Sequence, residues 1–276
     1  GAHVSVAGGL AKAFPNGQRL ACDAIQVFVK NANQWRGRAL EPAEVEEFRR
    51  VRESQTTIGP VLAHASYLIN LAASDAVIRE RSIAALADEL DRCSRLGVEG
   101  LVVHPGAHVG AGEDRGIELV SAAIDEVFAA NPEISTRLLL ENTAGQGTCL
   151  GRTLAELERM IAGSGHRAHL GVCLDTCHAF AAGYAIHEAN GYEEFAAEVG
   201  ERLGFENIGA FHLNDSAKPF ASRKDRHEHI GQGEIGVEAF ARLLADPRFA
   251  HAPMVLETEP GEGDRGHLDD LATLRG

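Results

Sequence analysis

Short apolar runs alternate along the chain with longer stretches in which apolar residues recur every three or four positions. The short runs are AHVSV near the start, Ile25–Lys30, Pro60–His64, Gly100–His104, Arg137–Asn142, Gly171–Asp175, Ile208–Asp215 and Met254–Thr258. Most are apolar at successive positions, the pattern of strands covered on both faces. Between them, Ser82–Leu96 places Ile83, Leu86, Leu90 and Cys93 on one helical face, with Asp88, Glu89 and Arg92 predicted to face away. Ile117–Phe128 and Leu154–Ile161 repeat that spacing. Eight such units, with no linker or composition shift among the 276 residues, predict one α/β domain over 1–276, a (β/α)8 TIM barrel. An open doubly wound sheet ranks second, because no Gly-x-Gly-x-x-Gly turn follows the first run.

The residues that close these runs carry the first chemical signal. His64, His104, Glu141, Asp175, His212 and Glu257 stand at the ends of six of them, 34 to 45 residues apart. That interval is one strand–helix unit, so a barrel would project all six at its C-terminal rim, where such folds build their sites. Any one of them is explained as a polar residue marking the end of a strand. Six together are not, since a chance set would include Ser, Thr, Asn or Lys and this one contains only metal-capable side chains.

Three more candidates lie nearby: His178, three residues after Asp175, and Asp225 and His227 in the loop after the seventh run. Five His, two Asp and two Glu exceed the needs of one tetrahedral zinc and suit three ions with about three protein ligands each. Four carboxylates against three dications would leave a local charge near +2, on the formal valences. His108, His166, His169, His187, His251 and His267 lack carboxylates at ligand spacing and read as surface or structural, whereas His3 is placed to support a ligand from behind.

Composition changes this picture little. Hydrophobic residues make up 45% and charged residues 24%, as in ordinary globular chains, which excludes disorder, collagen and coiled coils. No apolar run approaches the roughly 20 residues that span a bilayer, so the reading is an intracellular, cytoplasmic protein. The net charge of −14 argues against a broadly basic nucleic-acid surface, although bound cations would reverse the sign locally. Five cysteines form an odd set without the paired spacing of a zinc ribbon, so neither a disulfide framework nor a Cys173/Cys177 zinc site is expected.

The stretches GAHVSVAGGL, HASYLINL from His64, HPGAH from His104, LLLENTAGQG around Glu141, GVCLDTCHAFAAGY, FHLNDS, DRHEHIGQGEIG and VLETE, in that order, resemble endonuclease IV, the metal-dependent apurinic/apyrimidinic endonuclease family of base-excision repair. The resemblance covers nearly the whole chain. It implies a TIM barrel with three zinc ions, manganese being an alternative at one, and cleavage of double-stranded DNA 5′ to an abasic site. The products would be a 3′-hydroxyl and a 5′-deoxyribose phosphate. Residue by residue, it assigns His64, His104 and Glu141 to one ion; Glu141, Asp175, His212 and Glu257 to a second; and His178, Asp225 and His227 to a third. Glu141 would bridge two ions and orient the attacking water. DNA contacts would come from Lys30, Asn31, Asn33, Gln34, Trp35 and Arg36 and from a Tyr67–Leu68 wedge. A monomer acting at the nucleoid, away from membranes, is implied as well.

Four positions depart from the family pattern: Asn33 where arginine is common, Ala65 where aspartate is usual, Ala217 between Ser216 and Lys218, and the extra Glu259. None removes a ligand. A metal-dependent sugar isomerase or epimerase on a related barrel is the main alternative, and a non-catalytic barrel that binds DNA or zinc is a weaker one.

Overall fold

Each predicted run forms a strand that pairs in parallel with the next, and the last closes on the first. The computed structural model describes Gly1–Gly276, with barrel strands β1 (Ala2–His3), β2 (Ile25–Val27), β3 (Val61–His64), β4 (Gly100–Val103), β5 (Arg137–Glu141), β6 (Leu170–Asp175) and β7 (Ile208–Leu213). A short ribbon follows, β8 (Asp215–Ser216) antiparallel to β9 (His227–Glu228), and β10 (Met254–Leu256) completes the barrel. Closure runs through Ala2, which registers with Ile25 on one side and Leu256 on the other. That closed ring excludes the open sheet.

Two cores follow from the two-residue period of the strands. Ala24, Leu62, Val102, Leu139, Cys173, Ala210 and Val255 form a buried cluster of their own, the barrel interior. Alternate residues such as Val61, Ala63, Leu101, Val103, Leu138, Leu140 and Leu256 belong to the larger cluster between barrel and helices. Side chains two apart on a strand share a face. The residues two beyond the interior set are Gln26, His64, His104, Glu141, Asp175, His212 and Glu257. All seven therefore continue the inner face up to the C-terminal mouth.

Helices match the predicted stretches with longer ends. Ser82–Leu96 is the C-terminal part of Ala76–Leu96, which starts earlier because the Asp75 carboxylate accepts from the Ile78 N–H and caps it. The other two run Glu113–Ala130 and Leu154–Gly163. One expectation fails here. Glu89 and Arg92, predicted to face solvent, are buried at 1% and 6% exposure, because the loops after β2 and β3 fold over that side of the helix and supply them with partners.

No helix is long and apolar enough to cross a membrane.

Candidate metal centre

The nine candidate ligands converge in three groups at the barrel mouth. His64, His104 and Glu141 form one; Glu141, Asp175, His212 and Glu257 a second; His178, Asp225 and His227 a third, with the ligand atoms of each group within 4.8 Å of one another. Glu141, fully buried at the end of β5, belongs to two groups. Its Oε2 lies 3.2 Å from His64 Nε2 and 3.0 Å from His104 Nε2, while Oε1 lies 2.9 Å from His212 Nδ1.

Local structure places the third group. Asp175 ends β6 and caps the helix Thr176–Ala182, its Oδ1 accepting from the His178 N–H at 2.7 Å. One helical turn thus sets His178 above Asp175. Asp225 and His227 come from the loop after β7, the strand next to β6, a loop that β9 anchors to β8. His178 Nε2 is 3.2 Å from Asp225 Oδ2 and His227 Nε2 is 3.3 Å from Asp225 Oδ1.

Backbone carbonyls and one supporting side chain fix which ring nitrogen faces inward. His64 Nδ1 bonds to the Ala65 carbonyl at 2.8 Å and His178 Nδ1 to the Asn142 carbonyl at 2.9 Å, which leaves both Nε2 atoms toward the site. In His212 the arrangement is reversed, with Nε2 donating to Gln26 Oε1 at 2.9 Å. Gln26 also donates to Glu257 Oε1 at 2.6 Å and lies 3.2 Å from His3 Nδ1. Asn214 donates to Asp175 Oδ2 at 2.6 Å and accepts from the Glu257 N–H. Ligands oriented in this way by outer partners are what metal sites require.

Electrostatics agree with the geometry. Burial alone would raise the Glu141 carboxyl, but His104 and His212 beside it hold it well below the usual carboxylate range. Burial would likewise lower His178 and His212; Asp175 faces the first, Cys173, Glu257 and Glu141 the second, and both imidazoles are held well above the ordinary value. His3, by contrast, is lowered by its burial.

The donor set fits divalent ions. His227 Nε2 is buried and makes no hydrogen bond, although it faces Asp225 and Asp175 at 3.3 and 3.7 Å. A buried nitrogen aimed between two carboxylates without bonding either lacks a partner that a cation would supply. Cys177 also comes near Asp175 and His227; its Sγ lies 3.6 Å from the Arg226 carbonyl, and burial pushes its thiol up to about 12.

Around the mouth, Asn31, Asn33, Gln34 and Arg36 are exposed, and Tyr67 is 62% exposed beside the half-buried Leu68. Trp35 is half-buried and packs against the core. Lys30 departs from the sequence reading. Its side chain is 2% exposed and its ammonium pairs with Glu89, so it offers no charge to a ligand at the surface. Tyr67, Leu68 and Gln146 line a cleft of about 490 Å³ that reaches His104, His178 and Asp225.

Sequence reasoning missed Gln26, Asn142 and Asn214, which are not typical ligands, and Asp215. The inner-face position of Gln26, two after Ala24, was the available signal. It also missed the basic loop with Arg223, Lys224 and Arg226, all exposed next to Asp225 in an acidic chain. None of the six histidines read as structural enters a metal-capable group; His267, for example, is buried on the Thr258 carbonyl.

A closed eight-stranded barrel with this rim defines a TIM-barrel enzyme whose mouth can hold several cations. The family model described as xylose isomerase-like TIM barrel matches residues 15–275. A probable endonuclease 4 of Chloroflexus aurantiacus is 48% identical over 275 residues, covering 100% of this chain and 96% of the relative. The crystal structure of endonuclease IV from Thermus thermophilus superposes with a TM-score of 0.88 at 38% identity, covering 99% of this chain and 96% of that one. A D-tagatose 3-epimerase-like protein, at 17% identity and a TM-score of 0.71, covering 97% and 92%, shares the fold alone. The chain belongs to the endonuclease IV family and is a nuclease.

Proposed function

We propose that this nuclease hydrolyses the phosphodiester 5′ to abasic sites in double-stranded DNA, leaving a 3′-hydroxyl and a 5′-deoxyribose phosphate, as a monomeric base-excision repair enzyme with three zinc ions. The observation that carries the reading is the position of Glu141, whose two oxygens face two different ligand groups. A carboxylate so placed would be shared by two cations, which could neutralise the attacking and leaving oxygens of a phosphodiester.

His64, His104 and Glu141 would hold one ion, Glu141, Asp175, His212 and Glu257 the second, and His178, Asp225 and His227 the third, with manganese an alternative at one. When bound, such ions supply positive charge against the phosphate and make water acidic near neutral pH. The chain's own residues do the rest. Glu141 accepts a hydrogen bond from the attacking water and aligns it. Gln26, Asn142 and Asn214 hold the ligands in one orientation, so no rearrangement is required as charge develops.

Recognition would fall to the exposed loops. Asn31, Asn33, Gln34 and Arg36 offer donors to the backbone. Arg223, Lys224 and Arg226 provide the local cations that the acidic surface otherwise lacks. Tyr67, with Leu68, is placed to enter the stack where a base is missing, since unstacking costs least there.

A labelled duplex with one tetrahydrofuran abasic analogue tests the reading. A nick 5′ to the analogue, dependent on metal, is expected. An intact strand with metal present rejects the assignment, because the analogue has no aldehyde for a lyase to use.

A further inference from the structure

The helix Ala76–Leu96 buries a carboxylate that neither the core nor the metal centre uses. Glu89 Oε1 lies 3.0 Å from Lys30 Nζ, and both side chains are 2% exposed. The same carboxylate accepts from the Ser66 N–H, at 3.2 Å to each oxygen. Lys30 donates onward to the Gln34 carbonyl at 2.8 Å. Ser66 Oγ donates to the Ala32 carbonyl at 2.5 Å and accepts from the Leu68 N–H at 3.3 Å. One acidic group therefore joins the loop after β2 to the loop after β3, the two that carry Asn31–Arg36 and Tyr67–Leu68.

Stability does not explain such a pair. Removing two charges from water offsets most of their attraction, and apolar replacements of equal volume are often as stable or more so. A buried ion pair does restrict geometry, because its partners have no acceptable alternative position. The pair also sits where position matters, since the Tyr67 and Phe28 rings meet in a T-shaped contact at a centroid distance of 5.6 Å. Phe28 is two residues before Lys30 on the same loop.

We propose that Lys30 and Glu89 are positioning residues. Their buried pair sets the two loops in one arrangement for the abasic duplex, and Lys30 itself does not touch DNA. This inference rests on the abasic-site reading above.

The test is the double variant Lys30→Met/Glu89→Gln, which removes both charges and keeps an acceptor for the Ser66 N–H. On the tetrahydrofuran duplex, KM should rise roughly tenfold, with kcat held within about threefold, as misplaced binding loops would cause. The slope of log Kd against log salt should stay at the wild-type value. An unchanged KM with the fold intact makes the pair merely structural. A slope reduced by about one charge makes Lys30 a phosphate contact, and either result overturns the proposal.

Should the double variant not fold, Lys30→Gln/Glu89→Gln removes the same two charges and also keeps an acceptor for the Ser66 N–H. The same rise in KM supports the proposal, and no rise rejects it. Trp35, the single tryptophan, lies in the loop concerned and gives a readout without DNA. Acrylamide quenching of its fluorescence should increase about twofold in either variant if the loop is released. A wild-type chain that fails to nick the duplex brings down the functional reading, while the quenching result still decides whether the loop is fixed by Glu89.

Discussion

The Gln26 amide donates to Glu257 Oε1 at 2.6 Å, joining β2 to the residue after β10 across the intervening strand β1. Through its other end it accepts from His212 Nε2, so one neutral side chain orients two ligands of the same group. Gln26→Met keeps the volume and removes both bonds. Outer partners of this kind are worth roughly 10- to 100-fold in metal affinity. We expect that loss for one ion per chain in chelator competition, with the other two retained. Unchanged affinity for all ions would deny Gln26 this role.

Glu141→Gln addresses the shared ligand. The amide keeps the shape but carries no charge to balance two cations or to draw a proton from water. Cleavage should fall by roughly a thousandfold, the scale of several kcal/mol at the transition state, while duplex binding measured by fluorescence anisotropy persists. Near-wild-type turnover would remove Glu141 from the chemistry.

Asp215 anchors the loop that carries His227. Its buried carboxylate accepts from the N–H groups of Gly231, Gly233 and Ile235 at 2.9, 3.2 and 2.8 Å, and from its neighbour Ser216 at 2.8 Å. Gly233 is required for this approach, because a Cβ there would lie 2.6 Å from Asp215 Oδ1. Asp215→Asn turns one acceptor into a donor that faces other donors. A loss of about 3 kcal/mol in urea unfolding is expected, given the strength of bonds to a buried charge. Amide exchange at Gly231 and Gly233 should accelerate with it. A variant with unaltered exchange would show that the loop is held by something else.

The metal-free protein should have a pH dependence of its own. Burial would lower His64, His178, His212 and His227, yet the carboxylates facing them hold all four above the ordinary histidine value. Burial would raise Glu141, Glu257 and Asp225, yet the imidazoles hold these below theirs. A raised histidine contributes stability that is complete below its unfolded pKa and disappears as pH rises through the folded one. A lowered carboxyl contributes stability that is present above its unfolded pKa and disappears as pH falls through the folded one. Chelated protein should therefore be most stable between about pH 4.5 and 6.5 and lose Tm as pH rises beyond that range. Zinc should restore it there, because the ion takes deprotonated ligands. A Tm of the chelated protein that climbs from pH 6 to 8 would contradict these pairings.

The barrel was legible in the sequence, and so was the convergence of most candidate ligands, because strands covered on both faces leave long apolar runs and a His, Asp or Glu ending such a run points to the mouth. Gln26 escaped notice because glutamine is not a ligand type, although its place on the inner face equals that of His64 or Glu141. Glu89 was misread for a related reason. Helical periodicity assigns polar residues to solvent, and nothing local reveals that two loops from earlier strands will cover that face and neutralise it. The burial of Lys30 was hidden with it, since the sequence shows a cation in a rim loop and not its buried partner Glu89.

Closure of the ring through Ala2 and Leu256 imposes an order on maturation. As the chain leaves the ribosome, the ligands His64, His104 and Glu141 are all synthesised by residue 141, the set with Asp225 and His227 only by residue 227, and the set with Glu257 last of all. A cation in that last set would therefore not be enclosed until β10 has been made and has paired with β1. A chain ending before Met254 would still carry His64, His104 and Glu141 yet lack the strand that seals the barrel.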